Sequence, residues 1–150
     1  MNYTNLDPLL NNVLVIKSQG KSYDLHSDSD FYGLIYCKSQ ANVKLIWNYP
    51  SKWFRNESIF KNDRTYLETH NIKKYDQKIE LSFEEVGIFE VSNSKTHHLN
   101  NNADILEDIR NYYENKDGEI GDDGSIVFVF QSEMQVRIKC NKVSFEIIKD

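Results

Sequence analysis

The sequence predicts an α+β fold, a mainly antiparallel twisted sheet with one main helix at about residues 103–115. Three observations predict this class. Aromatic residues, which favour strands, make up 13% of the chain. Short runs rich in Val, Ile and Phe recur and are separated by polar or Gly-containing turns. Only one segment repeats its apolar residues at helical spacing. We expect six to eight strands in a meander that could close into a half-barrel or a sandwich.

The clearest strand signal is at the end of the chain, in residues 125–150. Three apolar runs separated by polar pairs predict a three-stranded antiparallel meander. A two-residue turn before the last strand would place Cys140 opposite Val143. The preceding loop must have an odd number of residues, because an even loop would place Phe128 opposite Arg137. This register leaves Arg137 facing solvent.

Two further segments have the character of strands. Residues 31–38 and 43–49 form a candidate hairpin, and placing Lys38 opposite Val43 would set Tyr36 opposite Leu45. Both strands carry apolar residues on both faces, which indicates a pair covered on each side.

Residues 78–92 alternate apolar and polar side chains, but Gly87 interrupts the run and predicts a kink there. The predicted helix, Asp104 to Asn115, follows after a polar loop. Its apolar stripe would pack on the sheet and consists of Ile105, Leu106, Ile109, Tyr112 and Tyr113.

Length and charge exclude several classes of protein. The 150 residues are enough for one domain, which we assign to 1–150. The net charge of −5 argues against nucleic-acid binding, since that binding needs a basic surface. No apolar run approaches the roughly 20 residues of a membrane span, and the N-terminus has no signal-peptide pattern. We therefore expect a cytoplasmic protein with reduced thiols at Cys37 and Cys140.

Few residues suggest catalysis or metal binding. The adjacent pair His97–His98 has poor ligand spacing, and we interpret it as part of a polar loop. The Asp- and Gly-rich residues 115–124 do not have the spacing of an EF-hand, and we interpret them as a solvated loop. Motifs for nucleotide binding and for an activated nucleophile are absent from the sequence. We expect no cofactor, no metal, no catalytic residues and no enzymatic activity.

The strongest functional signal is the acidic segment, which we define as Asp104 to Gly124. It carries eight acids against two bases, a net charge of −6, so the rest of the chain is near neutral at +1. Such a surface could recognise a basic protein partner by electrostatic steering, although a solvated helix with an acidic loop is the simpler alternative. The candidate partner-binding residues are Asp104, Glu107, Asp108, Glu114, Asp117, Glu119, Asp122 and Asp123.

The strand arrangement resembles small bacterial immunity proteins of polymorphic toxin systems. The resemblance rests on Val43–Trp47, Ile79–Val91 and Val136–Glu146, less than half of the chain. It implies a cytoplasmic protein without enzymatic activity that neutralises a toxin by binding it. Toxins of that kind are often nucleases with basic clefts, which would suit the acidic segment.

Two other functions remain open from the sequence. A curved sheet could hold a small molecule or a substrate in a pocket lined by Tyr32, Tyr36, Trp47 and Phe89. Residues 51–77 carry a net charge of +2 among scattered aromatic residues and could contact nucleic acid, which the overall charge makes the weakest hypothesis.

Overall fold

The computed structural model of the chain describes residues 1–9, 14–51, 75–92, 104–114 and 117–149. The predictions for His97–His98 and for most of residues 51–77 lie outside these ranges. The described residues form one 3-10 turn at Lys38–Gln40 and thirteen strands. The strands are β1 Asn2–Thr4, β2 Val15–Ser18, β3 Lys21–Asp24, β4 Asp30–Cys37, β5 Asn42–Tyr49, β6 Gln77–Glu84, β7 Ile88–Ser92, β8 Leu106–Arg110, β9 Tyr113–Glu114, β10 Ile120–Gly121, β11 Ile126–Phe130, β12 Gln135–Lys139 and β13 Lys142–Lys149.

Five strands form the larger sheet, in the order β1-β13-β6-β5-β4. All neighbours are antiparallel except β1, which runs parallel to β13. The central strand β6 shows why this sheet forms, since Ile79, Leu81 and Phe83 alternate with polar residues and are fully buried. Its cross-strand neighbours on β5 are equally buried, so one face of the sheet is continuous apolar surface.

Four strands form a second antiparallel sheet, in the order β7-β12-β11-β8. The aromatic rings show that the two sheets face each other. Phe128 of the smaller sheet lies 5.8 Å from Phe83 and 6.2 Å from Trp47 of the larger one, between ring centroids. The buried apolar residues of both sheets form one cluster, which is the core of the protein. The sheets therefore pack as a sandwich.

Strand β4 crosses the smaller sheet from one edge to the other. At its start, the Phe31 amide donates a hydrogen bond to the Asp104 carbonyl beside β8. Near its end, the Tyr36 ring lies 4.6 Å from that of Phe89 on β7. Because β7 and β8 are opposite edges of the smaller sheet, β4 runs across that sheet rather than along it, as in orthogonal packing.

The chain passes between the sheets at two adjacent corners. After β6, Glu85 takes a positive φ of 55° and the Gly87 amide donates to the Lys139 carbonyl at 2.8 Å. After β12, the Asn141 amide donates to the Glu84 carbonyl at 3.2 Å. The predicted interruption near Gly87 is confirmed, and it marks the change from the larger to the smaller sheet.

A separate hairpin, β2–β3, packs against the core. Its turn residues, Gln19 and Gly20, both have positive φ, as a type I′ turn requires. Tyr23 lies 5.7 Å from Tyr49 and 5.1 Å from Phe145, between ring centroids. The hairpin therefore extends the core beyond the two facing sheets.

The predicted helix at 103–115 is wrong, and the described residues contain no helix of seven residues or more. Residues 106–110 are strand β8, paired with β11. A β-bulge explains the error. Leu106 pairs with Phe130 and Ile109 with Phe128, so Leu106 and Ile109 face the core although they are three residues apart. An extra residue in a strand reproduces the spacing of one helical turn. The part of the chain that the structure describes is therefore nearly all β, and the predicted α+β class is wrong.

The predicted closing meander is correct in its first hairpin and wrong in its second. Strands β11 and β12 pair with Phe128 opposite Val136, across an odd loop in which Glu133 has a φ of 71°. Strands β12 and β13 do not pair, because they belong to different sheets. Cys140 and Val143 are both buried in the core between the sheets rather than opposite each other in a hairpin.

The β4–β5 hairpin is confirmed, but its register differs by two residues. Tyr36 pairs with Val43 instead of Leu45. The loop between the two strands consists of the 3-10 turn and Ala41, which has a φ of 50°, so Cys37 lies opposite Asn42. On β4, Ile35 is 55% exposed and Tyr36 is 45% exposed, so the prediction that both strands are covered on each face is wrong for β4. Both cysteines are free thiols, with Cys37 half-buried and Cys140 buried. No helix in the described residues is long and apolar enough to cross a membrane.

Candidate partner-binding surface

The acidic segment forms an edge strand and a small hairpin. Strand β8 is the outer strand of the smaller sheet, and strands β9 and β10 pair with Ile120 opposite Glu114 and Gly121 opposite Tyr113. The ring of Tyr113 lies across Gly121, so that a Cβ there would come within 2.8 Å of its Cε1 atom and closer to Cζ. Glycine is therefore required at position 121 for this packing of the ring.

Tyr113 attaches the β9–β10 hairpin to the outer face of the smaller sheet. Its ring centroid lies 4.0 Å from the guanidinium carbon of Arg137 on β12, a close cation–π contact. Arg137 stands in a row that crosses the sheet, with Val127 as its neighbour on β11 and Arg110 beyond on β8. Val127 is only 2% exposed although it lies outside the core cluster. The long stems of arginine neighbours are suited to cover such an apolar side chain.

Arg137 also donates hydrogen bonds to three oxygen acceptors. Its Nε donates to the Ser125 hydroxyl at 3.1 Å, Nη1 donates to Glu90 Oε2 at 3.2 Å, and Nη2 donates to Asp123 Oδ2. The planar guanidinium makes these contacts in its plane and the ring contact on its face, a combination that lysine could not supply. Arg137 thus joins β7, the start of β11 and the β9–β10 hairpin.

Asp123 is held in its charged form. The Ser125 hydroxyl and amide both donate to its Oδ1, and Arg137 donates to its Oδ2. These hydrogen bonds, that of the Ser125 hydroxyl foremost, lower the pKa of Asp123 to about 2. The carboxylate therefore has a structural role in fixing the loop before β11.

Two further acids of the segment are engaged within the chain. Asp104 accepts hydrogen bonds from the Ser132 amide at 3.1 Å and the Ser132 hydroxyl at 2.6 Å, and so supports the β11–β12 loop. Asp108 Oδ2 lies 3.3 Å from Arg110 Nε. The Ile105 amide donates to Asp104 at 3.0 Å, which fixes the start of β8.

The other five predicted residues are exposed, and they are Glu107, Glu114, Asp117, Glu119 and Asp122. Asp122 also accepts a hydrogen bond from the Gly124 amide at 3.1 Å. Among them stands Ile120, which is 69% exposed, the highest value of the exposed large apolar side chains in the described part of the chain. The hairpin therefore presents carboxylates around one apolar side chain. In the described residues, no three His, Cys, Asp or Glu side chains cluster as a metal site would require.

The four aromatic residues predicted to line a pocket do not converge. Trp47 is fully buried in the core, where its ring lies 5.3 Å from that of Phe31. Tyr36 contacts Phe89 at the edge of the sandwich. Tyr32 is 62% exposed, with the Lys78 ammonium 5.2 Å from its ring centroid. These four residues therefore do not form the pocket lining that the small-molecule hypothesis predicted.

The sequence did not indicate Tyr113, Gly121 and Arg137 as parts of this surface. Helical spacing places Tyr113 in the apolar stripe of a helix, and strand alternation places Arg137 on the solvent face of the strand. The sequence does show one arginine on the polar face of a strand and an acidic turn nearby. That pattern does not reveal which side chains contact Arg137 in the folded chain.

The chain matches no known family model and no curated protein. Among solved structures, it is similar to an uncharacterized protein from Neisseria gonorrhoeae. The two chains share 10% identity, with a TM-score of 0.40 over 79% of this chain and 90% of the other. This similarity carries no argument about fold or function.

Proposed function

We propose that the chain is a protein-binding module that neutralises a toxin by binding it through the acidic segment, in the manner of an immunity protein. The observation that carries this proposal is the set of five exposed carboxylates on β8, the β9–β10 hairpin and the loop before β11. Within the acidic segment, Arg110 Nε lies 3.3 Å from Asp108 Oδ2, and Asp108 is not one of the five exposed acids. The partner that suits this surface is a basic protein.

The structure does not support all eight candidate residues equally as contacts for a partner. Asp104 and Asp123 use their carboxylates to hold loops, so their substitution would alter the surface indirectly. Glu107 and Glu114 are exposed on β8 and β9 and are the best contact residues. Complementary charges of this kind raise the association rate and select the partner, and their contribution falls with ionic strength.

The attachment of the hairpin favours recognition over a solvated loop. Tyr113, Gly121 and Arg137 hold the acidic residues against a sheet. A surface that is already ordered loses less conformational entropy when a partner binds. Ile120 adds an exposed apolar side chain between Glu119 and Asp122 in the sequence. Interfaces commonly combine an apolar core with a polar rim.

Co-purification from the native host at low salt tests the proposal. We expect the chain to retain a basic protein that is toxic when expressed alone, and co-expression of the chain to restore growth. The variant Glu107→Lys/Glu114→Lys should lose both effects. The control Glu84→Lys/Glu146→Lys makes the same charge change on exposed positions of the larger sheet and should keep them. Retention of an acidic protein, or equal behaviour of the two variants, would contradict the proposal.

A further inference from the structure

The acidic segment contains two Asp–Gly steps, Asp117–Gly118 and Asp123–Gly124. In such a step, the amide nitrogen of the glycine can attack the side-chain carboxyl carbon of the preceding aspartate. Glycine has no side chain to block this approach and leaves the backbone free to reach the required geometry. Because both steps share this local chemistry, a large difference between them in the folded chain would come from their surroundings.

The first step lies just before β10 and is exposed. Asp117 and Gly118 are both exposed to solvent, and Gly118 has a positive φ of 78°. A Cβ atom at Gly118 would lie 3.7 Å from Glu114 Oε1, which is an ordinary contact distance. Exposed turns of small and polar residues are where a chain most readily tolerates local rearrangement. This step is therefore accessible to water and loosely packed.

The second step is held at both of its reacting groups. Asp123 Oδ1 accepts hydrogen bonds from the Ser125 amide and hydroxyl, and Asp123 Oδ2 accepts one from Arg137. The Gly124 amide, which would be the nucleophile, donates to Asp122 Oδ1 at 3.1 Å. Attack on the Asp123 carboxyl carbon would break these hydrogen bonds, so the folded chain opposes the reaction.

We propose that Asp117 is a site of spontaneous conversion to isoaspartate, and that the hydrogen bonds of Asp123 and Gly124 protect Asp123 from the same reaction. The Gly118 nitrogen forms a bond to Cγ of Asp117, and the carboxyl hydroxyl leaves as water with the amide proton. Water then opens the resulting succinimide at either carbonyl carbon, which yields aspartate or isoaspartate. Nothing is oxidised or reduced, and the product has the mass of the original chain.

The protonation state of the carboxyl group adds to the protection of Asp123. The neutral carboxyl group is the reactive form, because hydroxyl leaves far more readily than an oxide ion. The contacts of Asp123, that of the Ser125 hydroxyl foremost, lower its pKa to about 2. The neutral form of Asp123 at about pH 6 is therefore rarer, by roughly tenfold or more, than that of an unperturbed aspartate with a pKa of about 3.9.

Isoaspartate at position 117 would change the geometry of the acidic segment while keeping its charge. The main chain then runs through the former side chain, which adds one carbon atom to the connection between β9 and β10. These strands are held by the pairs Tyr113–Gly121 and Glu114–Ile120. A longer connection would shift the two pairs relative to each other. The reaction itself requires no partner protein.

Peptide mapping of the aged full chain tests the assignment, with electron-transfer fragmentation to distinguish isoaspartate from aspartate. At about pH 6, we expect roughly tenfold or more isoaspartate at position 117 than at position 123. In concentrated urea, where the hydrogen bonds of Asp123 are absent, the two positions should convert at similar rates. Equal conversion in the folded chain, or conversion of Asp117 in urea but not in the folded chain, would overturn the proposal.

Three variants test the protection of Asp123, with Asp117 as the internal reference. Asp122→Ala removes the acceptor of the Gly124 amide, and Ser125→Ala removes the hydroxyl donor to Asp123. Each should raise conversion at Asp123 by about threefold or more, the equivalent of one hydrogen bond. Asp122→Asn keeps an acceptor oxygen and should behave like the unsubstituted chain. Unchanged conversion at Asp123 in both alanine variants would contradict protection by these hydrogen bonds.

Discussion

The ring of Tyr113 lies on the guanidinium of Arg137, with 4.0 Å between the ring centroid and Cζ. This contact joins a short acidic hairpin to the outer face of a sheet whose other face is the core. The guanidinium plane is occupied at the same time by Asp123, Glu90 and Ser125. The position of the acidic hairpin therefore depends on one arginine.

We expect Arg137→Lys to destabilise the protein although the charge is kept. Lysine cannot donate to Ser125, Glu90 and Asp123 from one plane while stacking on Tyr113, and we expect a loss of about 1–2 kcal/mol. Urea denaturation measures it. The control is Lys139→Arg, which makes the reverse exchange two residues further on β12, at an exposed position. Equal stability of Arg137→Lys and the unsubstituted chain would show that the arginine contacts are dispensable.

Gly121→Ala should displace the Tyr113 ring from Arg137, because the added methyl group would overlap with that ring. We expect a loss of about 1–2 kcal/mol and a change in the NMR shifts of the Tyr113 ring. Gly87→Ala is the control, since a Cβ there meets nothing within 4 Å. If both alanine variants left the Tyr113 signals unchanged, the packing of the ring on Gly121 would be incorrect.

Asp123 should contribute to acid sensitivity. Its pKa is lowered to about 2 in the folded chain, against about 3.9 when unfolded. Its contribution is therefore complete above about pH 4 and is lost as the pH falls toward 2. After solvent screening we expect about 1 kcal/mol. Asp123→Asn should lose less stability than the unsubstituted chain between pH 6 and pH 3. An NMR titration of Asp123 with a midpoint near 4 would contradict this assignment.

Leu106→Ala should be strongly destabilising, because Leu106 is fully buried opposite Phe130. We expect about 2–4 kcal/mol from lost burial and the resulting cavity. Glu107→Ala, at the exposed neighbouring residue in the bulged part of β8, should change stability by less than about 0.5 kcal/mol. Similar effects of the two substitutions would contradict the burial of Leu106 against the smaller sheet.

Much of the fold could be predicted from apolar alternation. The strand at Ile79–Phe83, the interruption at Gly87 and the odd loop before Val136 all follow from period-two patterns and glycine. That β12 and β13 belong to different sheets could not be predicted, because both sheets of a sandwich bury alternate residues in the same core. Cys140 and Val143 have the same pattern whether the chain turns back or crosses to the other sheet.

The negative charge of the candidate surface could be predicted from the sequence, but the contacts of its side chains could not. Counting acids identified the segment from Asp104 to Gly124, and five of its acids are exposed. The internal roles of Asp104 and Asp123 depend on Ser132 and Arg137, which follow in the sequence but meet these acids only after folding. The bulge in β8 places core-facing residues three apart, which is the spacing of a helix. The apolar pattern therefore did not indicate an edge strand.

The salt dependence of partner affinity tests the central claim most directly. Dissociation constants would be measured at low and high salt for the unsubstituted chain, Glu107→Lys/Glu114→Lys and Glu84→Lys/Glu146→Lys. Each double substitution changes the net charge from −5 to −1. Recognition through the acidic segment predicts weaker, less salt-sensitive binding for the first variant only, by about tenfold at low salt. Identical constants and salt dependence for the two variants would contradict the account.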